Sequence, residues 1–172
     1  MFYKIFRSIF FCLEAEKAHE VTFQLFDILY RAGLLTLFFK KPPNHPVNVM
    51  GISFPNPVGI AAGLDKNGTH LEALGSLGFG FIEIGTVTPQ PQDGNLKPRL
   101  FRIPQHEALI NKMGFNNKGM LYVSKTALMP KLGIVGVNIG ANAKSINKVL
   151  DYTIIFEFLA SLFVSASPAV LG

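Results

Sequence analysis

Three short apolar runs in the middle of this 172-residue chain constrain its fold more than any other feature. The first lies in "VNVMGISFPNPVGIAAG", where β-type stretches are broken by Gly and Pro, the pattern of a hairpin leading into a buried strand. The second is "FGFIEIGTV", a mostly apolar strand with Glu83 embedded in it, and the third is "GIVGVNIG", again read as a buried strand. Between the first two, Leu71 to Leu77 has helical spacing and is closed by Gly78. Between the last two, residues 99–103 and 107–111 pair as a second hairpin, and Met120 to Met129 reads as a helix. Strand, helix, strand, helix, strand is the signature of an α/β fold on a parallel sheet, whose strands are covered on both faces. The 16 glycines and 11 prolines agree, because they argue against a simple helical bundle and for many turns.

In such folds the chemistry gathers just past the carboxyl ends of the strands. "AAGLDKNG" follows the first strand, "GTVTPQPQDGN" the second and "NIGANAK" the third. All three combine small residues, which let a ligand approach the backbone, with Lys, Thr or Asn, which orient it. That repetition favours a binding site over chance turns. "NKMGFNNKG", Asn111 to Gly119, adds three asparagines within seven residues. Asn favours turns and caps, so these are either turn residues or a surface for a flat ligand edged with N–H and C=O groups. The glycine-rich "GSLGFG", Gly75 to Gly80, precedes a strand, whereas a dinucleotide-binding loop must follow one and open a helix. It reads as a helix cap and a turn.

Upstream, Phe2, Ile5, Phe6, Ile9, Phe10 and Leu13 form one helical stripe. Ala18, Val21, Leu25, Ile28, Leu29 and Ala32 form another, ending at Gly33. These two short amphipathic helices are either core helices or an interfacial membrane element, which the Phe-rich face and the flanking Lys40 and Lys41 favour. "KKPPNHP" cannot continue a helix, and it divides a helical element, residues 1–41, from residues 42–172. The first ten residues carry Lys4 and Arg7 inside the apolar stretch and no small-residue cleavage site follows, so they do not read as a signal peptide. No apolar run before residue 150 is long enough to span a bilayer. The net charge of +5 suits an anionic ligand or membrane surface; the basic residues form no stripe that would suit nucleic acid. One cysteine, Cys12, excludes a disulfide framework, and His19, His45, His70 and His106 lack ligand spacing, so no metal is expected.

Together, "NPVGIAAGLDKNG", "GFGFIEIGTVTPQPQDGNLKPRLFR", "LINKMGFNNKG" and "GVNIG" resemble the dihydroorotate dehydrogenases. The likeness runs over residues 1–142, and the two N-terminal helices resemble those of the membrane-associated, quinone-using class. Each motif alone is modestly specific; the set, in this order and spacing, is very specific. The resemblance implies a (β/α)8 TIM barrel holding FMN, represented here incompletely by about its first three to four β/α units. It implies oxidation of (S)-dihydroorotate to orotate in de novo pyrimidine (UMP) biosynthesis, with electrons passed to a membrane quinone. It also implies peripheral attachment to the cytoplasmic side of the inner membrane in a bacterium. Under it, Asn111, Lys112, Met113, Gly114 and Phe115 contact the substrate. Ala61, Ala62, Gly63, Leu64, Asp65 and Lys66 form the flavin loop, and Lys66 also faces the substrate carboxylate. Thr86 and Asn138 match flavin contacts, and His19 and Arg102 match residues near the quinone head. A lysine so placed pairs with an anion and favours negative charge on a reduced flavin.

The chain departs from that family at its end. From Val47 to Gly172 there are 126 residues, against roughly 250 for a whole barrel. "DYTIIFEFLASLFVSASPAVLG" has Glu157 as its only charge after Asp151, where the family has a more polar helix, a strand and a base-bearing loop reading like Asn-x-Ser-Ser-Pro-Asn. Ser167-Pro168 is kept, which makes Ser167 the nominal catalytic base, but Val164 and Ala169 stand in place of the asparagines. The tail is read as a frame-altered remnant of the next helix and strand. Residues 152–172 also suffice by length for a membrane span, against which Glu157 and Pro168 count. Two functions are expected: the dehydrogenase, or a catalytically inactive remnant that only associates with membrane.

Overall fold

The computed structural model describes residues 2–40, 42–127 and 133–166. It opens with three helices, α1 (Phe2–Phe11), α2 (Ala15–Arg31) and α3 (Leu35–Phe38). The Glu14 carboxylate caps α2 by accepting from the backbone N–H groups of Glu16 (3.1 Å) and Lys17 (3.0 Å). That satisfies two of the free donors of the first turn and sets negative charge at the positive end of the helix dipole. At the other end Gly33 closes the helix as expected. It has φ +69, its N–H donates to Tyr30 O, and the Leu34 N–H donates to Leu29 O. That pair of bonds is the Schellman motif. The four residues of α3 are too few to show a periodicity.

The apolar stripe read along α2 is buried only in part, at Ala18. Leu25 and Ile28 stay 41% and 63% exposed, whereas Glu16, Ala18 and Phe23 are buried. The helix packs on α4 and β5 (below) through a face that carries a carboxylate, and two of its aliphatic residues are left outside.

Past the proline linker, β1 (Val47–Val49) and β2 (Ile52–Phe54) pair as an antiparallel hairpin. Its turn residues Met50 and Gly51 both have positive φ, the geometry that matches strand twist in a two-residue loop. β3 (Gly59–Ile60), α4 (Leu71–Gly75) and β4 (Phe81–Val87) follow. Then come the hairpin β5 (Leu100–Ile103) and β6 (Ala108–Asn111), helix α5 (Met120–Ala127), β7 (Ile134–Ile139) and α6 (Lys148–Ala166). β3, β4 and β7 form a parallel sheet in that order, the mixed α/β arrangement expected from the alternation of elements.

One face of β4 makes the core. Ile82, Ile84 and Val87 are buried with Ile60, Leu71, Leu74, Val123, Ala127 and, from α6, Ile155 and Leu159. Each such side chain contributes about 1.5–3 kcal/mol on leaving water. The tail therefore packs on the sheet as far as Leu159, and no described helix is long and apolar enough to cross a membrane. β7, read as a buried strand, is instead half-buried along its whole length. Among the described residues its only strand partner is β4, and its second face opens into an apolar cleft of about 570 Å³. Val47, Val49 and Phe54 of the first hairpin, with Phe81, Val135 and Val137, line that cleft.

Candidate functional site

A second cavity, about 710 Å³, opens at the carboxyl ends of β3 and β4, where α2 passes the loops. Its size falls within the roughly 300–1,000 Å³ of small-molecule sites. His19, Ala61, Ala62, Gly63, Leu64, Asp65, Lys66, Thr86, Asn111, Met113, Gly114 and Phe115 all line it. Elements far apart in sequence thus bring most of the expected residues to one place.

The loop after β3 is built by its own polar groups. Asp65, 2% exposed, accepts from the N–H groups of Thr69 (3.1 Å) and His70 (2.8 Å), so its carboxylate is spent inside the loop. Gly63 has φ +101, and a Cβ there would meet nothing within 4 Å. Bare backbone therefore faces open space, held by the Gly63 N–H donating to Gly85 O at 2.8 Å. Lys66 Nζ donates to Gly63 O at 2.9 Å. Burial holds Lys66 below the ordinary lysine value and Arg99 adds to this, while Glu16 and Asp65 push the other way. Burial likewise lowers His19, with Lys66 and His70 adding to the effect.

Thr86 Oγ1 donates to Asn138 Oδ1 at 2.6 Å, and Asn138 Nδ2 donates to Glu83 Oε1 at 3.2 Å. An ionised carboxylate only accepts, so Glu83 fixes which end of the Asn138 amide meets Thr86. Asn138 itself stands behind Thr86, outside the lining.

The asparagine-rich segment divides its labour. Asn117 is buried, and its Oδ1 accepts from Thr88 N (3.2 Å) and Gly119 N (2.8 Å). Its Nδ2 donates to Thr88 Oγ1 (2.9 Å) and Phe115 O (2.7 Å). It is a brace, not a ligand group. Asn111 and Asn116 line the cavity, and Asn116 Oδ1 is buried with no hydrogen-bond partner. Gly114 and Phe115 both have positive φ, +74 and +53. A phenylalanine in the left-handed region is strained, and such strain collects at functional sites. The Phe115 carbonyl is pinned by Asn117 and by Gln92 Nε2 (3.2 Å).

Two further expected residues lie elsewhere. Lys112 is exposed, 5.9 Å from the Phe101 ring. Arg102 donates to Leu13 O at 2.8 Å and covers the Phe11 ring, where the N-terminal helices meet β5. Ser167 falls outside the described residues. Glu16, Asn67 and His70 line the cavity without having been singled out. Glu16 was legible in principle, since it sits one turn before His19 on the same helix face.

The parallel sheet and the cavity at its strand ends define an α/β protein with a small-molecule-sized cavity at the carboxyl ends of its strands. The chain belongs to the dihydroorotate dehydrogenase family, whose model matches residues 45–166. It is 55% identical over 144 residues to the dihydroorotate dehydrogenase (quinone) of Chromobacterium violaceum, covering 83% of this chain and 42% of that protein. The protein of the same description from Acinetobacter baylyi is 51% identical over 160 residues, covering 91% and 47%. The chain thus spans less than half the length of these relatives. Among solved structures, ligand-free DHODH from Eimeria tenella superposes with a TM-score of 0.72 at 33% identity, over 87% of this chain and 43% of that one.

Proposed function

We propose that this chain supplies the ring-facing part of a quinone-dependent dihydroorotate dehydrogenase, as the first three β/α units of a (β/α)8 barrel. Residues 42–172 belong to the FMN-binding barrel, and residues 1–41 to an element that meets the membrane and its quinone, on the cytoplasmic side in a bacterium. One observation carries the reading: Lys66, Thr86, Asn111 and Met113–Phe115 converge on a single cavity floored by bare glycine backbone.

The residues fit a flat flavin ring. The open space over Gly63 admits a ring against the backbone, and the unpartnered Asn116 Oδ1 marks a polar wall. FMN, when bound, supplies the acceptor for the hydride that leaves dihydroorotate. Ala61 to Lys66, Thr86 and, from behind, Asn138 would hold it. Lys66 pairs with the substrate carboxylate, which favours its charged form against the burial that lowers it. Asn111 offers both a donor and an acceptor along the edge of the pyrimidine ring. The Phe115 ring, 54% exposed, offers the ligand an apolar wall. Ser167 is the nominal base by resemblance alone.

The test is orotate titration followed by amide NMR, with and without FMN. Saturable shifts at Asn111 to Phe115, lost in Lys66→Ala, are expected. No shift at millimolar orotate under either condition would overturn the assignment.

A further inference from the structure

Arg99, at the start of β5, is 6% exposed and is not part of the cavity lining. Its Nε donates to Glu16 Oε1 at 2.9 Å, and Nη2 stands 2.9 Å from the same oxygen. Lys97 Nζ lies 3.2 Å from Oε2, at ion-pair distance but outside hydrogen-bonding alignment. Arg99 Nη1 donates to the carbonyls of Asp93 and Asn95 and, at the long limit of 3.5 Å, to that of Met113. The Arg99 carbonyl accepts from the Lys112 N–H at 2.9 Å. One residue therefore gathers three segments: α2, the loop before β5, and the run that carries Asn111 to Phe115.

The loop and the run fit closely. The Asn95 N–H donates to Met113 O at 3.0 Å, and Asn95 Nδ2 donates to Lys112 O at 2.7 Å. A Cβ on Gly114 would come within 2.8 Å of Asn95 N. The backbone from Lys112 to Gly114 is thus a cast of the Asp93–Asn95 loop, and Arg99 holds that loop. Glu16 of α2 balances the buried guanidinium. Taking away one partner of a buried ion pair leaves an uncompensated charge, so the two partners are held or lost together. The planar fork makes the link geometrically stiff.

We propose that Glu16 and Arg99 are positioning residues that couple the seating of α2 to the shape of the Asn111–Phe115 segment, and so to the ligand affinity of the cavity. The identity of the ligand rests on the function proposed above; the coupling does not. Glu16 itself stands below the ordinary glutamate value. Burial opposes this, but the hydrogen bond from Arg99 and the positive charges of Arg99 and Lys97 outweigh it, as an engaged carboxylate requires.

The experiment uses the full chain with the near-isosteric variants Glu16→Gln and Arg99→Lys, together with Asp27→Asn. Asp27→Asn weakens a different tether of α2, the 2.7 Å contact between Asp27 and His70. Amide hydrogen exchange is read at Lys112 and Asn95, whose N–H groups report the loop, and at Ile82 and Ile84 in the core. Glu16→Gln and Arg99→Lys should each speed exchange at Lys112 and Asn95 by about tenfold or more with the core amides unchanged, as a local opening does. Both should weaken orotate by a similar factor, the double variant should be no worse than either single, and Asp27→Asn should leave the loop amides alone. Unchanged loop exchange in both variants would overturn the coupling. So would equal loosening by Asp27→Asn, which would make any loss of α2 contact sufficient. If the unaltered chain ignores orotate, the functional reading falls, while the exchange comparison still decides the coupling.

Discussion

Asn117 uses both ends of its amide inside the fold, joining Thr88, Phe115 and Gly119. Asn117→Ala should cost about 3 kcal/mol, because several buried partners lose their bonds at once; chemical denaturation measures it. Nothing in "NKMGFNNKG" distinguishes Asn117 from Asn111, since the two differ only in what β4 presents to them. The site was legible where it consists of a contiguous loop, as at Ala61–Lys66. It was not legible where the third dimension decides: no local pattern shows that Arg99, 83 positions along the chain, meets Glu16. Lys66 makes a second prediction. Burial lowers it, so orotate affinity should fall as pH rises through a value below 10.5. Lys66→Ala should lose about 10- to 100-fold in affinity at neutral pH, equivalent to a ~1.5–3 kcal/mol bond to a charged group, and should flatten that alkaline limb. Acid stability makes a third. His19 is lowered, so the unfolded chain takes up a proton near pH 6.5 that the folded chain resists, and stability drops there. Glu16 is also lowered, but it is an acid, so its contribution persists above pH 4.5 and disappears as pH falls towards its lowered value. Melting temperature against pH should show both steps, and His19→Gln should remove only the first.

At the scale of elements, the three parallel strands, the helices between them and both hairpins were legible in the sequence, while α6 was not read as one helix. The face that α2 buries was misjudged, because apolar spacing assumes an apolar surface to pack on. Here Ala18 of the stripe and Phe23 are buried, but Glu16 is buried beside them against a guanidinium, and Leu25 and Ile28 face outward. α1 leaves Phe6 54% and Ile9 58% exposed, so an apolar strip remains uncovered on the helix proposed to meet the membrane. Phe6→Glu with Phe10→Glu should abolish sedimentation of the chain with anionic vesicles, since each large side chain withdrawn from water is worth ~1.5–3 kcal/mol. Equal sedimentation by the double variant would remove α1 from the membrane.

For the whole molecule, three parallel strands give the ring-facing groups a cavity wall on one side. Barrels of this kind commonly grip phosphate after strands seven and eight. A polypeptide limited to these 172 residues should therefore bind FMN weakly and lose it on gel filtration, and it should not turn over dihydroorotate with quinone. A stoichiometric flavin spectrum that survives the column would show that the first units suffice. The half-buried strand β7 has a further consequence, which concerns solubility. Ile134 to Ile139, "IVGVNI", carries no charge and no proline, and among the described residues one of its edges is unpaired. A flat, apolar, uncharged edge is a template for the same strand in another molecule. Concentrated chain should therefore assemble into cross-β fibrils seeded by this segment, with thioflavin fluorescence rising after a lag. Ile134→Lys, which places a charge in the apolar cleft beside that edge, should lengthen the lag.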